Sequence, residues 1–323
     1  MTAPIVLTCG EPAGIGPEIA VAARKALAHE VPFCWIGDPR HLPMDCAWTE
    51  VGDLDQVVSV PAGQLPVLGH AFPAPALPGQ PDPSNAAAVM DVIARAVALA
   101  TSGAASAICT APINKKVLKD GAGFRFPGHT EYLAHLAGGC DVVMMLACPD
   151  LRVVPVTIHI ALADVPRALT PDLLERAIRI THAGLIRDFG VSAPRLMVAG
   201  LNPHAGEGGV MGREEIEMIA PVVARLAAQG IAIQGPASAD TMFHAAARAR
   251  YDAAICMYHD QALIPIKTVD FAGGVNVTLG LPFVRTSPDH GTAFDIAGKG
   301  MADPTSLIAA LRMAQDMARA RQA

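Results

Sequence analysis

Three apolar stretches of this chain each run out at a histidine. Leu151–Ile158 leads to His159, Arg195–Gly200 leads through Leu201-Asn202-Pro203 to His204, and Asp252–Met257 leads through Tyr258 to His259. Short apolar runs of this kind read as buried strands. In parallel sheets the carboxyl ends of strands line the ligand crevice. Taken singly, each histidine reads equally as a hydrogen-bonding loop residue. Taken together, three imidazoles at strand ends are the protein part of a catalytic divalent centre, which keeps a further position open. Imidazole nitrogen suits Zn, Co, Ni or Fe better than Ca. Spacing alone does not force the three to converge.

Carboxylates stand near these positions. Asp260 follows His259, Glu207 follows His204, and Asp240 sits in Ala239-Asp240-Thr241. Each is placed to orient a histidine or to act as a base. Glu207 reads as well as a solvated surface acid, and Asp240 as the cap of a helix starting at Thr241. Cations are few, and two of them adjoin apolar segments: Lys267 after Ala262–Ile266, and Arg285 just beyond the strand-like Gly273–Pro282 run that holds Asn276. Arg grips a carboxylate or phosphate bidentately and Lys supplies a point charge. His129-Thr130, at a predicted helix start, offers a further donor pair for an anion.

The elements that must position these residues alternate. Strand-like runs at Ile5–Cys9, Val31–Gly37, Ala104–Cys109, Asp141–Cys148 and the three histidine runs are separated by predicted helices. One helix runs from Pro17 to about His29 and another from about Asn85, capped by Ser84, to Thr101. Others are expected from Pro171 to about Phe189 and from Asp303 to about Ala320. This alternation is the signature of mainly parallel, helix-covered sheets. Gly10–Pro17 joins strand to helix in a G-x-x-x-G-x-G spacing, which is not the dinucleotide fingerprint. It reads either as an anion cradle or as a tight turn. Pro61–Pro83 is dense in proline and is expected to be a loop or arm rather than a central strand.

The 323 residues are 52% hydrophobic, 17% charged and only 4% aromatic, with net charge −6 and pI about 6.0. This suits an aliphatic α/β core in two lobes with a ligand cleft between them. No basic run exceeds two residues, which argues against a nucleic-acid groove. The seven cysteines form no C-x-x-C pair and read as reduced, mostly buried thiols. The uninterrupted apolar runs fall short of the roughly 20 residues that span a bilayer. The N-terminus has no basic segment ahead of an apolar one, so no membrane partner and a cytoplasmic location are expected.

Several longer motifs resemble one family. They are Gly10-Glu11-Pro12-Ala13-Gly14-Ile15-Gly16-Pro17, Pro127-Gly128-His129-Thr130-Glu131 and Asn202-Pro203-His204-Ala205-Gly206-Glu207. Tyr258-His259-Asp260-Gln261, Gly274–Pro282 and Arg285–Thr292 complete the set. In order and over nearly the whole length they resemble the 4-hydroxythreonine-4-phosphate dehydrogenase (PdxA) family. The resemblance implies a two-lobed α/β/α subunit with mainly parallel sheets, like isocitrate and isopropylmalate dehydrogenases. One lobe would comprise residues 1–128 with about 286–323. The other, residues 129–285, would carry the metal histidines. It also implies a homodimer with active sites at the subunit interface. His159, His204 and His259 would hold one divalent metal (Zn, Mg or Co) shared between subunits. His129, Thr130, Lys267, Asn276 and Arg285 would contact the substrate. The implied reaction is NAD- or NADP-linked oxidation of 4-phosphooxy-L-threonine, followed by loss of CO2, in vitamin B6 biosynthesis. Asp240, or a water on the metal, is the expected base.

Three other readings use the same residues. A paralogue would oxidise a phosphorylated erythronate or threonate, or an aromatic cis-dihydrodiol. A two-lobed anion-binding protein would use the cations without catalysis. A metal-dependent hydrolase or aldolase would need no nicotinamide.

Overall fold

The structure, a computed structural model, describes residues 3–322. It divides into two compact units, residues 3–142 with 281–322, and residues 143–280.

The first unit opens with β1 (Ile5–Thr8), buried throughout, and α1 (Gly16–Leu27), where Pro17 occupies the first turn and Ile19, Ala20, Ala23 and Leu27 form the buried face. β2 (Phe33–Gly37), β3 (Trp48–Glu50) and β4 (Leu65–Gly69) follow, then α2 (Ala86–Thr101), β5 (Ala107–Thr110), α3 (Lys115–Ala122) and α4 (His129–Leu136). The second unit begins with the antiparallel pair β6 (Val143–Cys148) and β7 (Leu151–Thr157), turned at Pro149-Asp150. It continues through α5 (Val165–Ala168), α6 (Pro171–Phe189), β8 (Arg195–Ala199), α7 (Ala220–Ala228), β9 (Ala232–Ala237), α8 (Ala245–Arg248), β10 (Ala253–Tyr258), α9 (His259–Val269) and β11 (Val275–Leu279). The chain then returns to the first unit with β12 (Val284–Pro288) and α10 (Thr305–Ala320).

In the first unit the strands run β3-β4-β2-β1-β5-β12, all parallel. In the second the order is β11-β6-β7-β10-β8-β9. There β11, β6 and β7 pair antiparallel, and β7, β10, β8 and β9 pair parallel. This is the expected α/β class with mainly parallel sheets. The parallel strands are near-continuous apolar runs because helices cover both faces. α6 shows the local logic. Thr170 caps it by accepting from the Leu173 N–H at 3.2 Å, Pro171 sits in its first turn, and Gly190 closes it in the left-handed region at φ 66°.

Four expectations need correction. The proline-rich Pro61–Pro83 segment contains β4, which lies between β2 and β3. It tolerates Pro66 because that residue precedes the pairing with β2 and faces only the three-residue β3. Ser84 caps nothing; its N–H donates to Asp82, which caps a 3-10 turn ahead of α2. Arg285 does not flank the Asn276 strand but lies within a separate strand, β12, opposite Ile108 of β5. The expected domain boundaries at 128/129 and 285/286 lie instead at 142/143 and 280/281, because α4 packs on α2 and β12 pairs with β5.

Residues 83–101 are long and apolar enough to cross a bilayer by composition alone. In the structure Val89, Val92, Ile93 and Ala96 of this segment are buried, and α2 packs on β1 and β5 as a core helix. All seven cysteines are free, and only Cys46 and Cys140 are partly exposed.

The turn after β1 depends on glycine. Gly10 has φ 66°, and a Cβ there would lie 2.4 Å from the Pro112 carbonyl oxygen. Gly10→Ala should lower stability to chemical denaturation by about 1–3 kcal/mol. An unchanged denaturation midpoint would show that the turn relaxes freely.

Candidate functional site

The histidine strands are neighbours in the second unit. β10 lies between β7 and β8 and runs parallel to both, with Tyr258 opposite Thr157 and Ile255 opposite Val198. The carboxyl ends of all three therefore emerge on one side of that sheet. Three hydrogen bonds fasten the ends. Thr157 Oγ1 donates to the Met257 carbonyl at 2.8 Å. Gln261 accepts from the Met257 N–H at 2.6 Å and donates from Nε2 to the Gly200 carbonyl at 2.7 Å.

His159 and His259 come together, with ring centroids 5.6 Å apart. His259 opens α9, and its Nδ1 lies 2.7 Å from Asp260 Oδ1. This is the carboxylate–imidazole pairing that fixes ring orientation at metal sites and leaves Nε2 for a ligand. His159 is held at φ 54°, a left-handed conformation rare outside glycine. The pair borders a cavity of about 220 Å³, walled on its apolar side by Ile158, Ile160, Leu162 and Val165. A larger hollow of about 350 Å³ in the first unit holds none of the expected residues. There Arg24 donates to the Gln64 carbonyl and Glu30 pairs with Arg312, which marks it as packing rather than chemistry.

His204 does not join the pair. Among the described residues no group of three or more His, Cys, Asp or Glu side chains is arranged to hold a metal ion. Its loop has an unusual backbone. His204, Ala205, Gly206, Glu207 and Gly208 are consecutively left-handed, with φ between 40° and 76°. Each non-glycine residue in that conformation costs about 1–2 kcal/mol, so the surroundings must hold it. Glu215 does so from a π-helical turn ahead of α7. It accepts the Asn202 backbone N–H at 2.8 Å and the Asn202 side-chain N–H at 3.0 Å. Cβ atoms on Gly200 and Gly206 would lie 3.0 and 2.7 Å from its carboxylate oxygens. Burial would raise the Glu215 pKa, but these hydrogen bonds outweigh it and hold the carboxyl below its ordinary range.

Asp240 is exposed in a 3-10 turn, where its Oδ1 accepts from Ser238 Oγ at 2.5 Å; it caps no helix. Asn276 lies in β11 with its side-chain oxygen buried and without a hydrogen-bond partner among the described residues. Lys267 stands in the last turn of α9 with its ammonium over the Phe271 ring.

The first unit holds a buried cationic set. Arg285 is 4% exposed, and its Nη2 donates to Thr110 Oγ1 at 2.7 Å. Burial pulls the guanidinium down to about 10, so it stays charged at neutral pH. His129 is the first residue of α4, and its Nε2 is buried with no hydrogen-bond partner among the described residues. Burial, and then the Arg285 charge, hold its pKa well below the usual 6.5. The ring is therefore neutral and can donate or accept a hydrogen bond without adding charge. Thr130 follows it in the first turn of a helix whose N-cap, Gly128, has no capping side chain. A buried polar atom without a partner asks for an explanation, and a bound ligand is one.

Sequence reasoning gave no role to Thr110, Gln261 or Glu215. Gln261 stood within a quoted motif. An acid soon after a glycine-rich loop is the signal that could have marked Glu215 as the loop's anchor.

The family model described as "Pyridoxal phosphate biosynthetic protein PdxA" matches residues 18–314. A Paracoccus denitrificans protein named 4-hydroxythreonine-4-phosphate dehydrogenase is 68% identical over 98% of both chains. A Klebsiella pneumoniae crystal structure of the same name superposes with TM-score 0.90 at 38% identity, covering 98% of this chain and all of that one. A terephthalate 1,2-cis-dihydrodiol dehydrogenase from Burkholderia xenovorans is 29% identical over 98% of both chains, with TM-score 0.68. The chain belongs to the PdxA family and is an oxidoreductase of pyridoxal phosphate biosynthesis.

Two outcomes follow from this geometry. Glu215→Ala leaves the Asn202 backbone N–H unpaired and its side-chain amide with Glu214 as sole acceptor, which should destabilise the His204 loop by about 1–3 kcal/mol, read as faster amide exchange over residues 202–211. Unchanged exchange would remove Glu215 as anchor. His129 protonates in the unfolded chain below pH 6.5 but not in the folded one, so stability falls as pH drops through 6.5. His129→Gln should lessen the loss of urea midpoint between about pH 7.5 and about pH 5.5. An identical loss in wild type and variant would contradict the buried neutral ring.

Proposed function

We propose that the chain oxidises 4-phosphooxy-L-threonine with NAD or NADP to 2-amino-3-oxo-4-phosphooxybutanoate, which loses CO2 to give 3-amino-2-oxopropyl phosphate. The observation that carries this reading is the buried Arg285 with the unpartnered His129 Nε2 beside it in the same unit. A buried guanidinium and a neutral imidazole form a seat for a phosphate or carboxylate, which a phosphorylated hydroxy-amino acid supplies. The names of close relatives point to the same substrate class.

The proposed roles follow residue chemistry. Arg285, His129 and Thr130 bind the anionic end, Lys267 adds a second positive charge, and Asn276 offers its buried amide oxygen to a substrate donor. His159, His204 and His259 are the proposed ligands of one divalent ion, Zn, Mg or Co. The His159–His259 pair with Asp260 fits such a group in donor type and orientation, and the set needs a third donor. When bound, the ion supplies Lewis-acid polarisation of the secondary hydroxyl. Asp240 is the proposed base for the hydroxyl proton. The carbon-bound hydrogen leaves as hydride to the nicotinamide, which supplies the electron sink. In the resulting β-keto acid, the bond to the carboxylate breaks and its electron pair passes toward the ketone as CO2 departs.

The separation of His204 from the other two histidines supports a homodimer in which two copies contribute the three. Exposed apolar residues flank these positions in sequence: Ile160 and Leu162 beside His159, and Val210, 83% exposed, with Met211 beyond His204. Apolar side chains left in water beside an incomplete site suit a protein interface. A cytoplasmic location accords with a soluble phosphorylated substrate.

A second reading rests on the apolar wall of the His159–His259 cavity and on the relative that acts on a cis-dihydrodiol. Assaying nicotinamide reduction with 4-phosphooxy-L-threonine, phosphorylated erythronate and threonate, and an aromatic cis-dihydrodiol decides between them. The first substrate should give the highest kcat/KM, and a higher value for any other would overturn the assignment. Mixing His159→Ala, His204→Ala and His259→Ala chains in pairs should restore turnover for at least one pairing, because a shared site re-forms in the mixed dimer. Failure of all pairings would place the three histidines in one chain.

A further inference from the structure

Four rings meet at the entry to α4. Phe126 stands two residues ahead of Gly128, the N-cap of that helix. Its ring centroid lies 5.5 Å from that of Phe124, 5.1 Å from that of Tyr132 and 5.0 Å from that of His135. Two of these neighbours are themselves fastened. The Phe124 N–H donates to the Leu118 carbonyl at 3.2 Å, at the end of α3. Tyr132 is buried, and its hydroxyl donates to the Met90 carbonyl of α2 at 3.5 Å. The start of α4 needs such a hold. Gly128 offers no side chain to cap it. The first bond of the helix, Tyr132 N–H to the Gly128 carbonyl, is 3.3 Å long, against about 2.9–3.0 Å ordinarily.

We propose that Phe126 is a positioning residue for His129 and Thr130, the first two residues of α4. The proposal rests on the reading of those two as substrate contacts. An apolar residue ahead of the N-cap that packs on the fourth helical residue fixes the angle at which the chain enters a helix. Here the fourth helical residue is Tyr132. Pro127 takes the position next to the cap, and Phe126 does the packing from one residue further out. Aromatic residues make up only 4% of the chain, so general core packing does not account for three of them with a histidine around one helix start. Rings that hold the start before substrate arrives take its ordering out of the binding step. An Asp cap would hold it too, but would set a negative charge against an anionic ligand.

The test is steady-state kinetics on the metal-loaded, full-length enzyme with 4-phosphooxy-L-threonine as the varied substrate. Phe126→Leu should raise KM about two- to tenfold with kcat nearly unchanged, the effect of lost aromatic contact. Phe126→Tyr should keep the wild-type KM, since the ring is retained and the position is partly exposed. With His129 and Thr130 both replaced by alanine, the change to leucine should have no further effect. Leucine keeping the wild-type KM, tyrosine raising it as much as leucine, or the leucine effect persisting without His129 and Thr130 would each overturn the positioning role. Should the leucine variant fail to fold, amide exchange on substrate-free wild-type protein tests the same hold. The Tyr132 and Leu133 amides should exchange slowly, and free exchange there would show a frayed helix start and overturn the role. The double variant His129→Ala, Thr130→Ala keeping the wild-type KM would instead overturn those residues as substrate contacts, and with them this role for Phe126.

Discussion

The parallel pairing of β7, β10 and β8 is the constraint on which the histidine arrangement depends. Parallel neighbours must end on the same side of their sheet. Residues far apart in sequence, His159 and His259, thus become adjacent once Thr157 and Tyr258 are in register. Gln261 extends the constraint to β8 by tying the start of α9 to the Gly200 carbonyl. Remove that pairing and no local feature of either histidine loop would bring the rings together.

Against this fixed platform, two elements carry cost. The left-handed run at residues 204–208 is strained, and Glu215 with Asn202 holds it. Arg285 gives up its hydration in the first unit, with Thr110 as a hydrogen-bond partner. Strain and buried charge of this kind lower stability, and they persist where they serve a ligand. Both lie in motifs that the sequence already set apart by residue type.

Much of this was legible before the fold. Apolar runs bounded by Gly, Pro and polar residues located β1, β7, β8 and β10, because burial on both faces leaves a continuous apolar signature. The bounds of α6 were readable because Pro171 has a strong local reason to open a helix, whereas its Thr170 cap emerged only in the structure. β4 was missed because proline density dominates a local reading, whereas the sheet asks only which N–H groups must pair. The nearness of His159 to His259 and the distance of His204 were not legible, since both depend on strand order and on a loop conformation anchored by a distant acid. The burial of His129 Nε2 and of Arg285 was likewise a product of tertiary packing.

The central claim is that His159 and His259 form one side of a divalent metal seat. Titrating metal-free protein with Co²⁺ while recording visible absorption tests it directly, because imidazole-ligated cobalt gives ligand-field bands that the hydrated ion lacks in form and intensity. The expected result is saturation at one Co²⁺ per chain, with the bands lost in either His159→Ala or His259→Ala. Bands of the same shape and stoichiometry in both variants would contradict the claim.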